Sequence, residues 1–254
     1  MNYLTLVVYL ITVIFNVLGS LGILTGYTVK DISEKYISLV TPANYTFIIW
    51  LVIYVALLVY TLYSCNIIKN ENSVEERKLI SSINSYYFVN LLLNILWIIT
   101  WVANLVVIST IFMILIFLTL YKISMIIKNA HVNDRQFYYI SLPFNLYFGW
   151  ITVAMLANLN VFIVKIGVNP VSFLGILFTI VLLVLGFIIF VLTYYKNRSL
   201  CYLFSIIWGY IGIGINNITE FLFIYKLVFV VELIIILLLL YLFVKDLLRR
   251  YRML

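Results

Sequence analysis

The sequence predicts an all-α integral membrane fold, and three observations predict it. Hydrophobic residues make up 66% of the 254-residue chain and charged residues only 10%, with a mean hydropathy of +1.18. Apolar runs of about 20 residues recur from end to end, the length that a bilayer core of roughly 30 Å requires. Nowhere is a polar stretch long enough to fold as a separate soluble domain. The runs are also too long and too uniformly apolar for the strands of a closed barrel, which alternate over about 10 residues. Helices that satisfy their own backbone groups are what remains.

About eight such helices can be placed, at 3–25, 44–67, 79–103, 105–127, 140–165, 173–195, 198–215 and 224–245. The first is read as a retained span rather than a signal peptide, because the first lysine is Lys30 and no small-residue cleavage site stands out. It carries Gly22 and Gly26, a G-x-x-x-G that serves packing within the chain or a homodimer alike. The longest connection, "YTVKDISEKYISLVTPA" at residues 27–43, follows it. The third and fourth helices are joined by almost nothing around Asn104 and form an antiparallel hairpin. Glu232 in the last helix is the acid set well inside a span. There it is protonated, paired with Asn216 or Asn217, or snorkelling to the interface.

The net charge of +7 does not indicate a nucleic-acid partner, because its distribution follows the membrane. Twelve of the sixteen Lys and Arg fall on one side, from Lys69, Arg77 and Lys78 to the tail "KDLLRRYRML"; Lys30, Lys35, Lys165 and Lys226 fall on the other. This asymmetry places both termini in the cytoplasm and the 27–43 loop outside, and it supports an even number of spans. The basic tail is expected against anionic headgroups. Cys65 and Cys201 lie near cytoplasmic helix ends, where a disulfide is not expected. His131 is the single histidine, in a cytoplasmic loop, so no metal site of usual spacing is expected.

Polar groups inside the spans carry the functional signal. Asn90, Asn94, Trp97 and Trp101 stand at i, i+4, i+7 and i+11 and share one helix face. An amide left unpartnered in hydrocarbon costs on the order of 2–7 kcal/mol. Trp50 and Tyr54 share a face of the second helix, Trp150, Ala154 and Asn158 a face of the fifth, and Trp208 lies in the seventh. Singly, such residues serve as an interfacial aromatic belt or as interhelical glue worth roughly 0.6–2 kcal/mol. Trp150, at least ten residues from either end of its helix, is deeper than a belt position. The Tyr194 and Tyr241 segments fit a loose cholesterol-contact pattern that a chain rich in Leu and Tyr matches by chance.

These stretches resemble the TspO/MBR family, the tryptophan-rich sensory proteins related to the peripheral benzodiazepine receptor. "LLLNILWIITW" is similar to the family's third-helix pattern L-N-x-x-W-x-x-x-F, through Asn94, Trp97 and Trp101. "PANYTFIIWLVIY" resembles the start of the second helix, through Pro42, Trp50 and Tyr54, and "WITVAMLAN" the fifth, through Trp150, Ala154 and Asn158. The chain departs from the family pattern at Thr41, Asn44, Ile48, Val153 and Pro143. The resemblance covers residues 1–166 as a five-helix TspO-like domain, leaving 167–254 as three additional spans with a basic cytoplasmic tail.

What the resemblance implies is a cavity lined by Trp50, Tyr54, Asn94, Trp97, Trp150, Ala154 and Asn158 that takes a planar hydrophobic small molecule. A porphyrin (protoporphyrin IX or haem-like) is the leading candidate and a sterol-like molecule the next, with no obligatory cofactor and no metal. The role implied is sensor, carrier or scavenger in a bacterial cytoplasmic membrane. Asn90 is assigned to helix packing. Light-dependent porphyrin breakdown is the enzymatic alternative, although no His/Asp/Glu cluster or phosphate loop supports ordinary catalysis. A secondary transporter coupled through Glu232 is the other, against which stands the lack of a visible inverted repeat.

Overall fold

The computed structural model describes residues 2–36, 38–68, 73–130, 132–221 and 226–251. His131, Lys69 and Arg252 lie outside the described residues. Ten α-helices are described, with no strand among the described residues: α1 Asn2–Ser20, α2 Val29–Lys35, α3 Ile49–Ser64, α4 Val74–Val102, α5 Val106–Asn129, α6 Asp134–Gln136, α7 Leu142–Lys165, α8 Phe173–Asn197, α9 Leu200–Phe221 and α10 Lys226–Tyr251. A 3₁₀ turn, Asn44–Ile48, leads into α3, and a π turn, Phe137–Ser141, joins α6 to α7. Pro143 stands just inside α7 and has no N–H to give the preceding turn, which suits the wider π geometry there. With these leading turns included, eight helical stretches are long and apolar enough to cross a bilayer, as expected.

Two details correct the expectation. The first span ends at Ser20 rather than near residue 25, because Gly22 and Gly26 turn the chain with φ of +73° and +83°. The G-x-x-x-G pair therefore lies in a turn and offers no helix face. The long loop also contains a helix of its own, α2, started by a reciprocal cap: Thr28 N–H donates to Asp31 Oδ2 at 2.7 Å, and Asp31 N–H to Thr28 Oγ1 at 3.0 Å.

The contacts group the chain as two compact units, one of residues 1–32 and 49–148, the other of residues 33–48 and 149–254. In the first, α4 and α5 form the expected hairpin, turned by Asn104 at φ +60°. α1 lies along α4 so closely that a Cβ at Gly19 would come within 2.8 Å of Ile98 Cγ1. An aromatic trio closes the core between α3, α4 and α7, with Phe144 edge-on to Tyr60 at 4.6 Å and to Tyr87 at 5.1 Å. Asn90 performs the packing role expected of it, its amide donating to Thr119 Oγ1 and the Ile116 carbonyl across the hairpin.

In the second unit α9 is the central helix: 61% of its span is buried, against 28% for α8 and 22% for α10, whose outer faces are bare Leu, Ile, Val and Phe. Glycines let neighbours close on α9. A side chain at Gly149 of α7 would strike the Tyr202 carbonyl, and Gly209 of α9 leaves 2.8 Å between its would-be Cβ and Val153 Cγ1. Residues 38–48 also dock on α9. Ala43 N–H donates to the Gly212 carbonyl at 3.0 Å, the Trp208 indole to the Thr46 carbonyl at 2.9 Å, and a Cβ at Gly212 would collide with the Thr46 side chain.

Candidate functional site

The seven residues singled out from the sequence divide between the units. Trp50, Tyr54, Asn94 and Trp97 belong to the first; Trp150, Ala154 and Asn158 belong to the second.

In the first unit α3, α4 and α7 bring three of the four together around a residue the sequence reading did not name, Tyr147. Trp50 stacks on Tyr54 at 5.3 Å, as residues four apart on one helix face should. Trp50 also lies tilted against Tyr147 at 5.8 Å. The Asn94 amide donates to Tyr147 Oη at 3.0 Å, and its carbonyl oxygen accepts from Asn16 Nδ2 of α1 at 2.7 Å. Asn94 is therefore hydrogen-bonded on both sides and ties α1, α4 and α7 together, which answers how a membrane helix bears that amide. Tyr9 of α1 adds a bond from its hydroxyl to the Tyr54 carbonyl at 2.7 Å.

Two polar atoms of the set stay without a partner among the described residues: the Tyr54 hydroxyl and the Trp97 indole N–H, both buried. Trp97 stacks at 6.1 Å on Trp101, whose own indole donates to the Val29 carbonyl at 3.1 Å and so anchors the first residue of α2. Buried polar groups are nearly always satisfied by protein, water or ligand. A phenol and an indole left over beside stacked rings are what a ligand bearing acceptor oxygens and a flat apolar body would use.

In the second unit Trp150 is buried and meets Phe47 edge-on at 5.8 Å. Asn158 is buried two turns along α7, and Ala154 stands half-buried between them. Trp208 is no free lipid-facing indole. It lies edge-on to Tyr45 at 5.7 Å besides bonding the Thr46 carbonyl. Of the acid alternatives for Glu232, pairing with Asn217 is found, at 2.6 Å, with both residues buried.

A family model described as TSPO-like protein matches residues 2–244. The chain belongs to this family. The match runs through α8 and α9 and most of α10. With its eight apolar spans it is an integral membrane protein. The comparisons with curated proteins and with solved structures gave no match.

Asn16 and Tyr147 are the residues of the cluster that sequence reasoning missed. Asn16 is an amide in an apolar helix, the same signal that drew attention to Asn94, and Tyr147 stands one turn before Trp150. Phe47 gave no signal of its own among 18 phenylalanines.

Proposed function

We propose that this TSPO-like protein binds a planar hydrophobic molecule within the membrane, a porphyrin in the first instance, as a sensor, carrier or scavenger. The observation that carries the reading is the Tyr54 hydroxyl, buried without a partner among the described residues in a cluster of stacked Trp50, Tyr54 and Tyr147 rings. An indole or phenol face stacks on a macrocycle, and the spare hydroxyl donates to a carboxylate or carbonyl at its edge. Trp97, with its spare N–H on the same helix as Asn94, offers a second donor.

The test is a titration of the purified protein with protoporphyrin IX, alongside a sterol and a non-planar lipid, read by quenching of tryptophan fluorescence. Saturable quenching by the porphyrin and not by the non-planar lipid is expected. Tyr54→Phe is the sharper arm. It removes a buried hydroxyl that has no partner among the described residues, so unliganded stability should hold or rise slightly while porphyrin affinity falls. Equal affinity in Tyr54→Phe and the parent would remove that hydroxyl from the site. The charge asymmetry further supports both termini in the cytoplasm. A reporter active only in the cytoplasm should therefore work when fused at the C-terminus; activity of a reporter that requires export would reverse the orientation.

A further inference from the structure

Glu232 of α10 is fully buried, and so is Asn217 of α9 opposite it. The Asn217 carboxamide donates both its hydrogens, one to Glu232 Oε1 at 2.6 Å and one to the Leu39 carbonyl at 2.9 Å. Two acceptors are left over. Glu232 Oε2 and Asn217 Oδ1 are both buried and have no partner among the described residues.

An ionised carboxylate in an apolar interior requires a cation or several donors, because its desolvation is otherwise uncompensated. Here, among the described residues, it is hydrogen-bonded by one neutral amide. From α9, Tyr210 is the titratable neighbour in electrostatic contact with Glu232, and its hydroxyl is already given to the Leu183 carbonyl at 3.0 Å. From α8, which also packs on α10, Tyr194 bonds Asp246 and Arg198 pairs with the same carboxylate, fourteen residues further along α10 than Glu232. Residues 38–48 contain no charged side chain. On α10 itself the nearest cation in sequence, Lys226, stands six residues away, nearly two turns.

A carboxylic acid and a primary amide are complementary: the amide N–H donates to the acid carbonyl, and the acid O–H donates to the amide carbonyl. The first half of that ring is present between Asn217 Nδ2 and Glu232 Oε1. The two atoms without partners are the two ends of the second half. One hydrogen on Oε2 satisfies both at once. We propose that Glu232 binds a proton, that this proton closes an acid–amide pair with Asn217, and that the pair latches residues 38–48 onto α9 through the Leu39 carbonyl.

The latch has a mechanical logic. Glu232 fixes the plane of the Asn217 amide, and that plane aims the second N–H at Leu39. When the proton leaves to water, a carboxylate oxygen faces a carbonyl oxygen with no hydrogen between them. The amide then turns and releases Leu39. The same segment carries Phe47, edge-on to Trp150, so proton occupancy at Glu232 reaches the second unit's candidate residues. This inference does not depend on the porphyrin reading.

The experiment uses the full-length protein in lipid nanodiscs. Infrared spectra as a function of pH would report a protonated carboxyl, and hydrogen exchange of residues 38–48 would report the latch. A protonated-carboxyl band that is missing in Glu232→Gln is expected, together with protection of 38–48 that falls as the band is lost at raised pH. Glu232→Gln keeps an amide–amide ring of the same shape, so it should stay folded and protect 38–48 at every pH. Asn217→Leu should expose the segment at every pH by tenfold or more in exchange rate. Identical pH profiles for Glu232→Gln and the parent would overturn the proposal, as would a parent spectrum without the band. Protection that depends on sodium or potassium concentration in the absence of the band would also overturn it, and would assign the two free oxygens to a metal cation.

Discussion

Each of the two units holds a buried amide at a helix crossing, and comparing them shows what a polar group can do in a membrane helix. Asn94 in the first unit meets only neutral partners, Asn16 and Tyr147, and each contact supplies the group that the other side needs. Asn217 in the second meets an acid and a backbone carbonyl, and two oxygens remain unmatched. The first arrangement is complete as it stands and holds three helices. The second is one hydrogen short and includes a loop segment rather than a third helix. Amides of equal burial therefore differ in what they are open to: the Asn94 junction to helix packing and a neighbouring ring cluster, the Asn217 junction to a proton.

The comparison breaks most sharply at the docked segment. Gly212→Val should cost about 3 kcal/mol, the upper part of the range for overpacking, because the new Cβ collides with Thr46 itself and not with a flexible tip. Thermal unfolding of the purified protein measures this, and a loss no greater than that of Gly214→Val, where the nearest atom to a Cβ is 3.5 Å away, would show that the segment is not held against α9.

In the first unit, Asn94→Leu should cost about 2 kcal/mol, since it removes both the buried acceptor of Asn16 and the buried donor to Tyr147. The loss should appear with and without porphyrin, because Asn94 bonds protein on both sides. Full stability with reduced affinity would instead place Asn94 at a ligand.

A smaller effect separates two tryptophans of the second unit. Trp150→Leu should weaken porphyrin binding about five-fold if the second unit's residues touch the ligand, which corresponds to roughly 1 kcal/mol for a lost stacking face. Trp208→Leu should leave affinity unchanged and lower stability instead, through the lost bond to the Thr46 carbonyl. Equal affinities would leave Trp150 as a core residue.

The smallest effect is at α2. The bonds from the Thr28 backbone and side chain hold the Asp31 carboxyl below its usual range. A carboxyl depressed in the folded state stabilises the cap above its unfolded value and loses that contribution as pH falls through the folded one. The protection factors of the α2 amides, corrected for the intrinsic pH dependence of exchange, should therefore fall on acidification into and below the ordinary carboxylate range, and Asp31→Asn should remove most of that change.

What was legible in the sequence follows from which interactions leave a residue signature. The eight spans did, because hydropathy over about 20 residues is a strong signal, and so did the α4–α5 hairpin at Asn104. The partner of Glu232 was legible as one of two neighbouring asparagines. The end of α1 was not, since two glycines four apart read equally as a helix face or a turn until their φ angles are known. α2 was too short for periodicity, although the Thr28–Asp31 cap marked its start. The docking of residues 38–48 was the least legible, because Trp208 and Asn217 reach backbone carbonyls of Thr46 and Leu39, and a carbonyl is the same at every position. For the same reason nothing in the sequence tied Trp208 to Thr46.

The bond between Asn217 and Leu39 spans 178 residues of chain. At roughly 5–20 residues per second of synthesis, Leu39 leaves the ribosome on the order of 10–35 s before its partner exists. The first unit, whose last residue is Phe148, is fully translated well before that. Residues 38–48 therefore wait, undocked, while most of the remaining spans are made. A truncated nascent chain that stops short of α9 leaves their final resting surface unbuilt, so arrest of translation between Phe148 and Leu200 should yield a folded first unit with an unsatisfied loop open to quality-control proteases.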